Sequence, residues 1–404
     1  MRGVGGHARS AGGPPGEVGW FSRDFGGIVE RSPARVVRPR SAGEVAAALR
    51  EAAALGLETV PRGMGHSTFG QSLTGGMALD MRGLAAIHEV RPAHAAGAAH
   101  AAGSAHAAGS AHVVVGAGAT WREVLDATLP LGLVPPVLTD YLDTTVGGTI
   151  SAGGIGGASH LYGTQAANVL ALEVVADGAP VTCSAEQRSG LFDAVRGGLG
   201  RHGVITRATL RLVPAPERVL SCTIPCRDAA DLLRVQREVD AGHLSGQAKP
   251  SEDGWRFEAK AVLHETSGPL PAGTAEAEEL SFRDFADRMR PDVEELAALG
   301  EWNRPHPWGM VFLPFPRAAG VIEATLATMT PDDLGLSGLV LVKALRTGPG
   351  NVPALPADPV LFGVLRTASP GCAPVADMLA ANRALLARAR VAGGTRYAVD
   401  AVPE

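Results

Sequence analysis

The chain has 404 residues, 46% hydrophobic and 19% charged, with a formal net charge of −5 and four cysteines. That is enough for two or three domains with a sizeable core, and it excludes wholesale disorder, charge-driven nucleic-acid binding and a disulfide framework. No apolar run reaches the roughly 18 residues of a membrane-spanning helix, so no membrane association is expected.

In chain order, residues 1–18 are rich in glycine and lack the apolar segment of a signal peptide, and a flexible leader on a cytoplasmic protein is expected. Ordered structure is expected from near Phe21. The stretch SAGEVAAALREAAALG reads as a helix with Ser41 at its N-cap, Glu44 completing a capping box and Gly56 as the stop. Residues 92–112 repeat the unit AHAAGS, with His94, His100, His106 and His112 in step. A His-rich tract can bind metal, but a slipped repeat lengthening a surface hairpin is the simpler reading, and no metal site is expected. VVVGAGATWREVLDA reads as strand, turn and helix, with Thr120 and Glu123 as a second capping box. VLALEVVADGAPVTCS reads as a hairpin turning at Asp177-Gly178. Composition shifts after Pro214, where longer amphipathic stretches begin, and a domain boundary is expected there.

Three glycine clusters carry the chemistry: PRGMGHSTFGQS (residues 61–72), TVGGTISAGGIGG (145–157) and RGGLGRHGVIT (196–206). None opens a helix as a dinucleotide fingerprint does, and none is followed by the Lys-Ser/Thr of a phosphate loop. They share backbone N–H groups that an anion can approach closely. His66 stands between Gly65 and Ser67 and is poorly screened by its neighbours. Asp140, in LTDYL, reads from the residues alone as a turn-capping carboxylate.

These clusters, with DFGGIV, YGTQAANVLALEVV, LSFRDFADR, WNRPHPWGMVFLPFP and FGVLRTA, resemble the vanillyl-alcohol-oxidase-like flavoproteins with a PCMH-type FAD domain. The likeness is strongest to the cytokinin dehydrogenase branch and its bacterial relatives. It implies an α+β fold: a two-lobed FAD-binding domain (19–214) and a cap (215–365) with an antiparallel sheet covered by helices. Residues 366–404 return to the flavin domain, and a further C-terminal segment found in the family is expected to be missing here. The cofactor implied is FAD, attached at one point through His66. Gly63, Gly65, Ser67, Gly147, Gly148 and Thr149 would cradle the pyrophosphate, and Gln71, Ser151, Gly154, Gly157 and Ile205 would line the rest. Asp140 would take a proton from the substrate, with burial raising its pKa towards neutrality.

The expected activity is oxidation of a small molecule at a C–N bond by hydride transfer to flavin N5, with dioxygen or another acceptor reoxidising it. An alcohol or sugar oxidase, or a flavin-binding protein without turnover, stays open. In HLSGQ, Ser245 stands where plant members carry a glutamate that contacts the cytokinin ring, with Glu252 or Glu258 as substitutes. His306 and Trp308 are expected in the pocket or in packing.

Overall fold

The computed structural model describes residues 15–93, 110–252, 254–345 and 355–403. Most of the His/Ala/Gly repeat therefore lies outside the described residues. The stretch read as a leader is helical from Pro15 onward, in the helix Pro15–Ser22.

The first lobe is a three-stranded parallel sheet, in the order Arg35–Val37, Met77–Asp80, Thr59–Arg62. The helix Ala42–Ala54 buries Val45, Ala46, Ala48 and Ala52, a stripe at helical spacing. Only half of the expected capping box forms. Ser41 Oγ accepts the Glu44 amide at 3.2 Å, but the Glu44 carboxylate reaches one residue further back, to the Arg40 amide at 2.9 Å. Gly56 ends the turn at φ +65°, where a side chain would be strained.

The second lobe is a five-stranded antiparallel sheet, ordered Ile87–Arg91, His112–Gly116, Val204–Arg211, Val169–Ala176, Ala179–Ser184. Both central residues of its hairpin, Asp177 and Gly178, have positive φ, as the right-handed twist of the flanking strands favours. The helix Trp121–Thr128 starts with a complete capping box between Thr120 and Glu123, worth about 1 kcal/mol.

From Arg218 the chain enters an eight-stranded antiparallel sheet. Helices Ala229–Glu238, Phe315–Leu326 and Val375–Val391 cover one face, and their apolar sides join Leu244, Ala259, Val342 and Phe362 in one buried core. Strand alternation sends the intervening residues (Ser245, Lys260 and Lys343 among them) to the opposite face, which looks onto the first two lobes. The core of the second lobe runs on into the cap through Val219, Val262, Phe282 and Phe285. Near its C-terminal end the chain turns back: Thr395–Arg396 pairs with the cap strand Gly309–Pro314, and the following residues cross to the first lobe.

Candidate active site

A cavity of about 1130 Å³ runs between the two lobes and under the cap sheet. Its wall includes Gly63, Gly65, His66, Ser67, Gln71, Asp140, Gly147, Gly148, Thr149, Ser151, Gly154 and Ile205. Gly157 does not line it. A Cβ there would lie 2.1 Å from the His243 ring, so this glycine serves close packing between lobe and cap instead.

The loop after strand Thr59–Arg62 is shaped from beneath. The Arg62 guanidinium is buried and donates to the carbonyls of Trp20 (2.9 Å) and Arg23 (2.7 Å) and to Ser72 Oγ (3.2 Å). Gly65 sits directly on it: at φ +70°, an added Cβ would be 2.2 Å from Arg62 Nη2. Asp24, also buried, accepts Ser67 Oγ at 2.8 Å and the amides of Gly70 (2.6 Å) and Gly27 (3.3 Å). Burial raises its pKa against these bonds and Arg62. With the loop held in this way, the amides of Gly65, His66, Ser67 and Thr68 have no hydrogen-bond partner among the described residues. That is a row of donors open to an anion.

Contrary to the expectation that no glycine cluster opens a helix, the second one does, forming the helix Val146–Ala152, which faces this loop at close range. A Cβ on Gly63 would meet Thr145 Oγ1 at 2.0 Å, and one on Gly147 would meet the Ala117 Cβ at 2.8 Å. Here the expected cradle needs correcting. The Gly147 amide already donates to Ala117 O (2.8 Å), in the turn after strand His112–Gly116, and the Thr149 amide to Thr145 O (3.0 Å), in the first turn of the helix. Thr149 Oγ1 accepts the Trp121 indole N–H at 2.8 Å. Gly148 alone of the three keeps a free amide among the described residues. Gln71 lines the wall, but its side-chain amide donates to the carbonyls of Ala398 (3.3 Å) and Asp400 (2.9 Å) on the returning segment.

His66 stands in an aromatic cage. Its ring lies 4.1 Å from Phe25, 5.0 Å from Tyr141 and 5.9 Å from Trp308, centre to centre. Phe25 in turn stacks on His306 at 4.0 Å. Burial, reinforced by His306, lowers the His66 pKa to about 3, so the imidazole is neutral at any working pH. Burial likewise takes His306 down to about 4.

Asp140 departs from expectation most sharply. Its Oδ2 accepts Lys343 Nζ at 2.7 Å and its Oδ1 accepts Arg288. Burial alone would raise its pKa, but the two cations prevail and hold the carboxyl below the usual carboxylate range. It is therefore a fixed anion, not the near-neutral base that the resemblance implied. Asp140 retains 32% exposure, into the cavity, while Lys343 is 2% exposed. Neither cation was found by sequence reasoning. Lys343 sits in the run LVLVKA, where a lone lysine among apolar residues was the available signal. His243, another missed wall residue, is neutral because burial drives its pKa well down.

Ser245 lines the cavity as expected, but neither proposed substitute for the family glutamate does so. Glu252 is exposed, and Glu258 is engaged by Lys249 at 2.8 Å and by Gln247. Among the described residues, no group of three His, Cys, Asp or Glu is placed to hold a metal.

Residues 33–184 match the model of the FAD binding domain, and residues 269–393 match that of cytokinin dehydrogenase 1, FAD and cytokinin binding. The chain is 39% identical over 403 residues to an uncharacterised oxidoreductase of the fasciation locus of Rhodococcoides fascians, covering 94% of this chain and 87% of that one. It is 33% identical to cytokinin dehydrogenase 7 of rice, Oryza sativa subsp. japonica, over 86% of this chain and 76% of the relative. The chain belongs to the cytokinin dehydrogenase family. Cytokinin dehydrogenase 4 of Arabidopsis thaliana is 30% identical over 81% of this chain and 72% of its own.

Membership makes it an FAD-dependent oxidoreductase with a two-domain flavin-and-cap fold. The site fits FAD on its own geometry. Gly65, His66 and Ser67, whose amides are unpaired among the described residues, line the cavity together with Gly148, a set of backbone donors suited to a pyrophosphate, and the same cavity includes residues of the cap sheet. No helix among the described residues is long and apolar enough to cross a membrane.

Proposed function

We propose that this cytokinin dehydrogenase family member oxidises a small secondary amine or nitrogen heterocycle at a C–N bond, with His66 holding the flavin covalently and Asp140 acting on the substrate N–H. When bound, the flavin supplies a hydride acceptor at N5. The observation that carries the reading is the Asp140 carboxylate, fixed as an anion in the cavity wall next to Tyr141, which itself touches His66.

Asp140 accepts a hydrogen bond from the substrate N–H and draws off its proton as the C=N bond forms. Its two cations hold the carboxylate in one orientation and keep it ionised before substrate arrives. Because its two cations hold its pKa down, Asp140 then gives this proton up to solvent and returns to the ionised form before the next turnover. His66 brings a ring nitrogen that is unprotonated to about pH 3, as attachment to the flavin 8α-methyl carbon requires. The amides of Gly65 to Thr68 and of Gly148 receive the pyrophosphate. Trp302, Trp308 and Leu361 form apolar walls that exclude water from the reacting end.

Two measurements test this. After acid denaturation, yellow flavin should stay with the wild-type chain and leave His66→Ala. Retention by the variant would move the attachment elsewhere. In anaerobic mixing, secondary amines should bleach the flavin while primary alcohols and sugars do not. Bleaching by the alcohols or sugars alone would replace the C–N reading with a C–O one.

A further inference from the structure

The cap wall of the cavity carries a cross-strand row that the proton-transfer machinery does not use up. Ser245 is directly opposite Lys260 on one neighbouring strand. On the other, Gly246 faces Val342, so continuing the register sets Ser245 opposite Lys343. All three line the cavity. With strands 4.7–4.9 Å apart, the Lys260 backbone lies about 10 Å from that of Lys343 and therefore to one side of Asp140.

The charges along this row do not balance. Lys343 and Arg288 share the single carboxylate of Asp140. Lys260 has no carboxylate within ion-pair distance among the described residues, and its Nζ donates to Thr223 Oγ1 at 2.6 Å. Glu258, two residues along its own strand, is engaged by Lys249 and Gln247. The other acidic wall residues, Glu278, Asp292 and Glu295, are exposed to solvent. Asp140, Arg288, Lys343 and Lys260 together therefore carry an excess of positive charge on the inner wall, with Ser245 on the strand between the two lysines. A half-buried cation without a counterion attracts one from the ligand.

From this we infer that the substrate carries an anionic group, a carboxylate or a phosphate ester, received by Lys260 and Ser245 while its oxidisable nitrogen lies at Asp140. The inference rests on the reading of this cavity as the substrate site.

Binding of probes with no oxidisable bond tests it without turnover. The FAD-loaded full chain is dialysed to equilibrium against naphthoate, naphthyl phosphate and neutral naphthamide. One charge-assisted contact predicts that at least one anion binds about tenfold more tightly than the amide. Lys260→Met should remove that advantage and Lys260→Arg should keep it. Added salt should weaken the wild-type anion complex and leave naphthamide unchanged, a check that does not depend on any variant folding. Preference for naphthyl phosphate assigns the subsite to phosphate esters, and preference for naphthoate to carboxylates. Equal affinity of all three probes for the wild type overturns the inference, as does anion binding that survives Lys260→Met. Failure here leaves amine bleaching intact as a separate result, and absence of bleaching leaves the probe result standing.

Discussion

Asp140 illustrates how a residue's chemistry is set by partners far along the chain. Lys343 is 203 positions away and Arg288 is 148. Replacing Asp140 by Asn should leave FAD bound and slow anaerobic flavin reduction by about 10²–10⁴-fold, the usual worth of a positioned base. A rate equal to wild type would remove it from the mechanism. Lys343→Met makes the subtler test. With that cation gone, burial is less opposed and the carboxyl pKa rises. The acid limb of the rate profile should move to higher pH, and an unmoved limb would mean that another group titrates there.

The elements around the site show what could be read in advance and what could not. The glycine clusters, the Thr120–Glu123 box and the Asp177-Gly178 turn were legible because each is a local device whose chemistry sits within a few residues. That His66 and Asp140 would stand together in the cavity wall could be expected only through resemblance to a family. The cations on Asp140, the Asp24 clamp and the His243 contact with Gly157 are tertiary, formed where separate elements meet, and no local spacing encodes them. The same limit explains the misplacement of Gly157: its glycine identity was visible, but the partner that demands it was not. Gly65 belongs to this scale. Gly65→Ala combines a positive φ with a collision against the buried Arg62, and strain of about 1–3 kcal/mol is expected. The loop should shift, and FAD affinity should fall by tenfold or more. Unchanged FAD binding would show that the loop yields.

For the molecule as a whole, acid and base limits follow from buried groups. Asp400 is fully buried, and burial lifts its pKa to about 7 despite Arg396 beside it. An acid whose folded pKa lies above its unfolded one stabilises most at low pH, and that contribution fades as pH rises through 7. His66 and His306 act in the opposite sense. Their folded pKa values lie below 6.5, so their contribution is present above that pH and is lost as pH falls towards 4 and 3. Thermal stability of the flavin-free chain should therefore peak in mildly acidic buffer. The Asp400 share of the decline ends at about pH 7, where both states are ionised, so Asp400→Asn should steepen the rise in stability up to pH 6.5 and remove the fall between there and pH 7; an unchanged profile in the variant would assign it to other groups.

The contact between the returning segment and the His66 loop has a consequence for biosynthesis. Thr68 Oγ1 donates to the carbonyl of Val399, 331 positions later, and Gln71 donates to the carbonyls of Ala398 and Asp400. The first lobe's sheet pairs strands that are close in the chain, and its helix completes its core with Val175 and Val204 of the second lobe, all of them made well before residues 398–400. The loop that presents His66 gains its last restraints only when residues 398–400 have left the ribosome. Contacts of such sequence separation are slow to close. A nascent chain therefore carries an unfinished His66 loop until residues 398–400 emerge, and the loop in its final form is available to the flavin only from then on.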